Sequence, residues 1–243
     1  MAEMEEMTEA ELEGLILGKD SNNDARYVLG KLMIEGWSDK IKPNENKGLN
    51  WMKEAAKKGS QAAMEYKTYW DIRFDRSPNL TKITDNLNKI IDLNKSCRAC
   101  NTLAEINHAQ GSSGKMSQNP EVKAQATEKA ALAAKYYMIS AEQGDVVGLH
   151  WMGVFYHEGF GVSKNIEKAI EFLLKAAEMG NCQSMYQLHL IKSGFDGQDD
   201  NFRDIEDSYK WIVKGIQNGA TMFDQAIKYF KEHFDVLAPV FLK

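Results

Sequence analysis

Apolar and small residues recur along the chain at intervals of three and four, as in Ala169, Phe172, Leu173, Ala176 and Ala177. That is the spacing of a single buried face on an α-helix. Strand-type alternation is nowhere sustained, so the pattern predicts an all-α chain. The pattern also repeats. A unit running Gly148, Met152-Gly153, Tyr156, Gly159-Phe160-Gly161-Val162, Asn165, Ala169, Phe172, Ala176-Ala177, Gly180 has its second half about 36 residues earlier as Ala133, Tyr136, Ser140-Ala141 and Gly144. Ala25, Leu29-Gly30, Met33 and Gly36, then Gly48, Trp51, Ala55-Ala56 and Gly59, take the same steps with two residues added in the middle. Ser184, Leu188, Ser208, Trp211 and Gly219 follow with three added, and Ala63 and then Ala99 with Leu103-Ala104 mark two degenerate copies.

These matches predict five repeats of two helices each, near 25–59, 63–94, 99–144, 148–180 and 184–219. One helical pair cannot bury both faces, whereas stacked pairs share them, so the expected architecture is a right-handed α-solenoid of helix-turn-helix repeats with atypical ends. Residues 1–24 read as an acidic segment with a capping helix over 8–18, Leu12, Leu15 and Ile16 turned inward; 220–243 read as a closing helix and an apolar tail. Small residues such as Gly153, Ala169 and Ala176 let helices approach, and larger side chains there would force them apart. Pro43, Pro78 and Pro120 fall in the expected connections within repeats. Gly59, Gly144, Gly180 and Gly219 sit where a left-handed residue closes a helix, and Asn44 and Asn165 suit N-caps. Residues 110–121, rich in Gly, Ser and Pro, read as an inter-helix loop.

Charge narrows the classes of function. Glu3, Glu5, Glu6, Glu9, Glu11 and Glu13 place six negative charges in the first eighteen residues. Setting them aside leaves 29 acidic against 30 basic residues among 243. Such a near-neutral body lacks the broad basic stripe of a nucleic-acid binder. No apolar run reaches the length of a membrane span, the acidic start is unlike a transit or signal peptide, and three cysteines do not make a disulfide framework. Together these predict a cytoplasmic protein.

Motifs that resemble chemical sites fail on inspection. Cys97-Arg98-Ala99-Cys100 has redox or half-zinc spacing, yet no second such pair exists and no βαβ pattern surrounds it, so packing cysteines are expected. Gly111-Ser112-Ser113-Gly114-Lys115 is similar to a phosphate loop, but Ala109 stands at the earlier glycine, Met116 at the metal-binding hydroxyl, and no strand precedes it. His157-Glu158 begins like a zincin helix, with Gly161 where the second histidine would stand. Trp37, Trp51, Trp70, Trp151 and Trp211 are scattered over different repeats and read as core.

The stretches LGKLMIEGW with KGLNWMKEAAKKG, and WMGVFYHEGFGVSKNIEKAIEFLLKAAEMGN, resemble the Sel-1-like repeat family, relatives of tetratricopeptide repeats. The resemblance runs from Ala25 to Gly219, with the glycine pair and much of the aromatic pattern missing from the second and third repeats. Within the family, the order of diverged and well-formed repeats is most similar to a megalin-binding-protein type of adaptor. The resemblance implies a non-catalytic scaffold or adaptor in a multiprotein assembly, with no catalytic residues, cofactor or metal. In related tetratricopeptide repeats the first helices line a concave groove. Carried over, this places Tyr27, Lys31, Asn101, Glu105, His108, His150, Val154, His157, Tyr186 and Leu190 in a groove that holds an extended peptide or helix of another protein. Further partner contacts are expected through the termini, none with nucleic acid, and a cytoskeletal or ciliary complex is the finer address. The competing reading is a metal- or cofactor-handling assembly factor or small hydrolase that uses Cys97, Cys100 and the histidines.

Overall fold

Asn22 closes the start of the first long helix by accepting the backbone amides of Asp24 and Ala25 through its side chain, and the same device recurs down the chain. Asn44, Ser60, Asn79, Asn119, Asp145, Asn165, Asn181 and Asp204 each accept from the first turn of the helix that follows. Ser96 accepts from Ala99. A capping oxygen satisfies one of the amides a helix leaves unpaired and contributes about 1 kcal/mol. The computed structural model describes residues 2–17, 22–75, 77–194 and 200–220. Among them the caps open ten helices, which follow two short N-terminal ones, α1 (Ala2–Glu5) and α2 (Glu9–Leu17).

The ten fall into antiparallel pairs: α3 (Asn23–Glu35) with α4 (Glu45–Lys57), α5 (Gln61–Phe74) with α6 (Leu80–Asn94), α7 (Cys97–Lys115) with α8 (Pro120–Glu142), α9 (Val146–Glu158) with α10 (Ile166–Glu178), and α11 (Cys182–Ser193) with α12 (Ile205–Gln217). The chain divides into two compact units, Met1–Ala99 and Cys100–Lys243. In the first, Leu12 and Ile16 of α2 join Val28, Leu29, Leu32, Met33 and Ile41 in one core, while Met52, Ala55 and Ala63 bring α4 against α5. In the second, Tyr137, Met152, Phe155 and Phe160 pack among the alanines of α8, and Leu173, Met185, Leu188 and Ile212 carry the core on to α12.

Small residues set how closely a pair approaches. A Cβ on Gly48 of α4 would stand 2.7 Å from the carbonyl oxygen of Gly30 on α3, so the crossing excludes any side chain there. The segment expected as a loop over 110–121 is helical to Lys115, and its connection shrinks to 116–119. Its glycines face α8: a Cβ on Gly111 would lie 3.0 Å from the amide of Ala130, and one on Gly114 2.6 Å from the Cβ of Ala126. What looked like loop composition is a close-packing stripe inside α7.

Other expectations shift less. Pro120 is the first residue of α8, where its missing amide costs no hydrogen bond. Leu15 is exposed, because the face α2 buries is fixed by Leu12 and Ile16, one turn apart. Trp37 is 80% exposed and Trp51, Trp70, Trp151 and Trp211 are half-buried, so none of the five tryptophans is fully core. The closing helix and tail expected over 220–243 lie outside the described residues beyond Ala220.

The loop after α9 generates a stability prediction. Gly161 has φ of +67°, and a Cβ there would run into the carbonyl of Ala130 on α8. Gly161→Ala therefore adds a backbone penalty to a steric one, and urea unfolding should show a loss of about 2 kcal/mol or more. An unchanged midpoint and slope would contradict this packing.

Candidate functional site

In the first unit, α3 ends on a left-handed Gly36 whose amide donates to the carbonyl of Leu32. The chain then returns to α4 with the Asn44 amide donating to the carbonyl of Met33 at 2.9 Å. Trp37 follows the reversal immediately and projects outward. On the neighbouring α5, Tyr66, Trp70 and Phe74 stand four residues apart and so share one face. With Ile34, Glu35, Trp37 and Glu45 they line a cleft of about 540 Å³. The Tyr66 hydroxyl donates to Oε1 of Glu35 at 3.2 Å, and its ring meets Tyr27 edge-on at 6.3 Å between centroids. Burial, reinforced by the Glu35 carboxylate, pushes the Tyr66 phenol well above its ordinary pKa, so it remains a neutral donor. Trp70 and Phe74 pack at 5.3 Å, with Lys67 beside the first ring and Arg73 beside the second.

Lys31 lies on the same helix as Tyr27 but is engaged within the chain: its ammonium pairs with Glu5 of α1 at 3.1 Å. Lys40 pairs with Glu6 at 3.2 Å, and Lys47 bridges Glu9 and Glu13 of α2 at 2.6 and 3.0 Å. The acidic start is thus folded onto lysines of its own unit.

In the second unit the expected groove residues divide. Asn101, His150, Val154 and His157 are buried. Neighbouring pairs touch here, and Asn101 and His150 reach across the seam. Asn101 donates to Oδ1 of Asp145 at 2.8 Å. Burial alone would raise the Asp145 carboxyl, but hydrogen bonds from Asn101 and from the amides of Gly148 and Val147 hold it below the usual range. His150 Nδ1 meets the Ser184 hydroxyl at 2.9 Å across α9 and α11. His108 is half-buried, edge-on to Trp151, Phe155 and Phe160 at 5.0, 5.0 and 4.9 Å. Burial lowers its pKa against the pull of Glu158. Glu105 is exposed, and Tyr186 and Leu190 are half-buried on α11. Among the described residues no three His, Cys, Asp or Glu side chains converge as a metal site would require. Cys100 is buried and Cys97 half-buried, and neither forms a disulfide among the described residues.

The Sel1 repeat model matches residues 23–60 and 146–181, which span α3 with α4 and α9 with α10. These two helical pairs match the Sel1 repeat. A Sel1 repeat protein from Oxalobacter formigenes superposes with a TM-score of 0.57 at 18% identity, over 85% of this chain and 78% of that one. At that identity the likeness speaks for the fold alone, an all-α array of helical repeats. An immunity protein of Pseudomonas aeruginosa, Pa5087, aligns with a TM-score of 0.41 at 14% identity, over 84% of this chain and 71% of that one. The c5321 antigen of uropathogenic Escherichia coli aligns at 0.38 and 14% identity, over 93% of this chain and 59% of that one. No curated protein matches the sequence. Sel1 repeats are protein–protein interaction modules, and among the described residues no helix is long and apolar enough to cross a membrane.

The two matched Sel1 repeats carry the motif, while the aromatic cleft draws three of its seven lining residues from the unmatched α5. Carry-over from the Sel1 pattern could not reach Tyr66, Trp70 and Phe74, because the second pair lacks the glycines that fix register. Their ladder at four-residue spacing was the available signal.

The buried imidazoles give a pH prediction. Burial lowers both His150 and His189 to about 4, each with Nδ1 on a serine hydroxyl, His189 on Ser208 at 2.8 Å. Unfolding exposes them to an ordinary value near 6.5, so the unfolded chain binds more protons between those limits. Stability present above about pH 6.5 is then lost as pH falls toward 4, on the order of 2 kcal/mol per imidazole. Thermal melts across that range should show the decline, and His189→Asn should flatten it. An identical pH profile in that variant would count against the assignment.

Proposed function

We propose that the protein is a non-catalytic scaffold whose first unit grips a segment of another protein in the cleft between α3 and α5. The observation that carries this reading is a pair of large apolar side chains left in water on one concavity, Trp37 at 80% and Phe74 at 58% exposure, with Trp70 and Tyr66 beside them. Contiguous aromatic exposure of this kind marks interaction surfaces, and tryptophan and tyrosine are the residues that most often dominate binding energy. Tyr27 borders the cleft through Tyr66. Glu35 and Glu45 stand on its lining, which favours a helix or extended segment with apolar anchors flanked by basic residues.

The proposed groove keeps Tyr27 and Lys31 in the first unit and Glu105, His108, Tyr186 and Leu190 as partly accessible positions in the second. It drops Asn101, His150, Val154 and His157, which a partner would reach only by parting the helices. The reading stops at protein docking and assigns no cytoskeletal or ciliary address.

Crosslinking mass spectrometry on the tagged full chain tests it, comparing wild type with Trp37→Ala/Phe74→Ala. Both residues are exposed, so the melting temperature should hold. Partner crosslinks near the cleft should fall at least tenfold, in line with the loss of two aromatic anchors, each worth about 1–2 kcal/mol or more. The same crosslinks at the same yield in the variant would overturn the proposal.

A further inference from the structure

A second concavity in the first unit, lined by α4, α5 and α6, has a different chemistry. Lys53, Ala56 and Lys57 of α4, Met64, Lys67 and Asp71 of α5, and Lys82, Asn86 and Lys89 of α6 enclose about 420 Å³. Five ammonium groups thus face one carboxylate. Asp71 is committed to Lys67, with which it forms an ion pair one turn apart, and the nearby Glu54 is turned to Arg26 at 4.0 Å. Among the described residues, Lys53, Lys57, Lys82 and Lys89 have no anionic partner. One helical turn separates the first two, about 6 Å, and two turns separate the others, about 10 Å. Four like charges gathered in one recess repel each other, and an anion that enters relieves that repulsion.

We propose that this lysine-lined cleft is a docking site for an acidic segment of a partner protein, a stretch of three or four Asp or Glu side chains. This goes beyond the aromatic cleft and stands or falls independently of it, since no residue lines both. The same unit already binds such a segment in just this way: Glu5, Glu6, Glu9 and Glu13 of α1, α2 and their junction are held by Lys31, Lys40 and Lys47, with no arginine in any of these pairs. A single-stranded nucleic acid would call for bases stacked on aromatic rings along an extended basic track. No aromatic residue and no arginine line this cleft of about 420 Å³. Ala56 and Met64 leave an apolar floor on which the methylene stems of a Glu-rich segment can rest.

The test is fluorescence anisotropy with a labelled octaglutamate peptide on the full chain, at about 50 mM and about 300 mM salt. The comparison is Lys53→Gln/Lys57→Gln/Lys82→Gln/Lys89→Gln against a control with the same charge change on the second unit, Lys123→Gln/Lys135→Gln/Lys168→Gln/Lys175→Gln. All eight lysines are exposed, so circular dichroism should report unaltered folding in both variants. Saturable binding that weakens at least tenfold in the cleft variant, less than threefold in the control, and sharply with salt is the expected result. Equal loss in both variants would reduce the site to bulk charge and overturn the proposal. So would an octathymidylate binding more tightly than the peptide, competition by millimolar inorganic phosphate alone, or no binding at all. Concentration-dependent self-association abolished only by the cleft substitutions would assign the cleft to a second copy's acidic start, and equally overturn it.

Discussion

Between one helical pair and the next the chain has at most three residues in which to reverse, and the last two of them set the turn. At Gly59-Ser60, Gly144-Asp145 and Gly180-Asn181 the glycine turns left-handed, and the following residue donates its amide back to Ala55, Ser140 or Ala176. That same residue then caps the next helix with its side chain. One position therefore ends one helix and begins another, satisfying orphan carbonyls on one side and orphan amides on the other. The exit angle becomes a local property of two residues, so each new helix is delivered against its predecessor in the same way. Within the pairs a second constraint recurs: the cap of the second helix donates its amide to the end of the first, Asn44 to Met33, Asn165 to Tyr156 and Asp204 to Lys192.

With the backbone turned by local rules, side chains are left to set distances and surfaces. Glycines and alanines draw the pairs together, as Gly30 with Gly48 and Gly111 with Ala130 do. In the second unit neighbouring first helices meet closely enough to enclose His150 against Ser184, while α11 and its own partner α12 enclose His189 against Ser208. Polar groups so enclosed need partners, and here each imidazole has one. The same helices in the first unit are held by Tyr27 and Tyr66 at ring distance, which leaves room beside them for the aromatic cleft.

Repeat number, helix type and glycine reversals were legible because each is a short-range pattern: the period, the spacing of three and four, and a glycine before a capping residue. The second pair was obscure for a specific reason. Its closing residue is Lys95, left-handed at φ of +51° with its amide on Ile91, and Ser96 caps the next helix. The device is intact but its glycine is gone. The exposure of the expected groove residues was half legible. Position within a repeat says which helix a residue is on, but whether His150 or Tyr66 meets water depends on how closely the next first helix approaches, and that is fixed by residues one repeat away. The Gly111–Lys115 segment misled in the opposite sense, since glycine and serine serve helix packing as readily as loops.

Helix α5 shows what its pair gains by departing from the pattern. Only Ala63 and Thr68 of its fourteen residues are fully buried. At about 100° per residue, Tyr66, Trp70 and Phe74 form one strip and Met64, Lys67 and Asp71 another, roughly a quarter turn away. The first strip walls the aromatic cleft and the second the lysine cleft. A helix that followed the small-residue pattern would spend those positions on packing and could present neither. Loss of the repeat signature and appearance of two chemically distinct concavities are thus the same event in sequence, and the segment least recognisable as a repeat is the one with the most surface chemistry to offer.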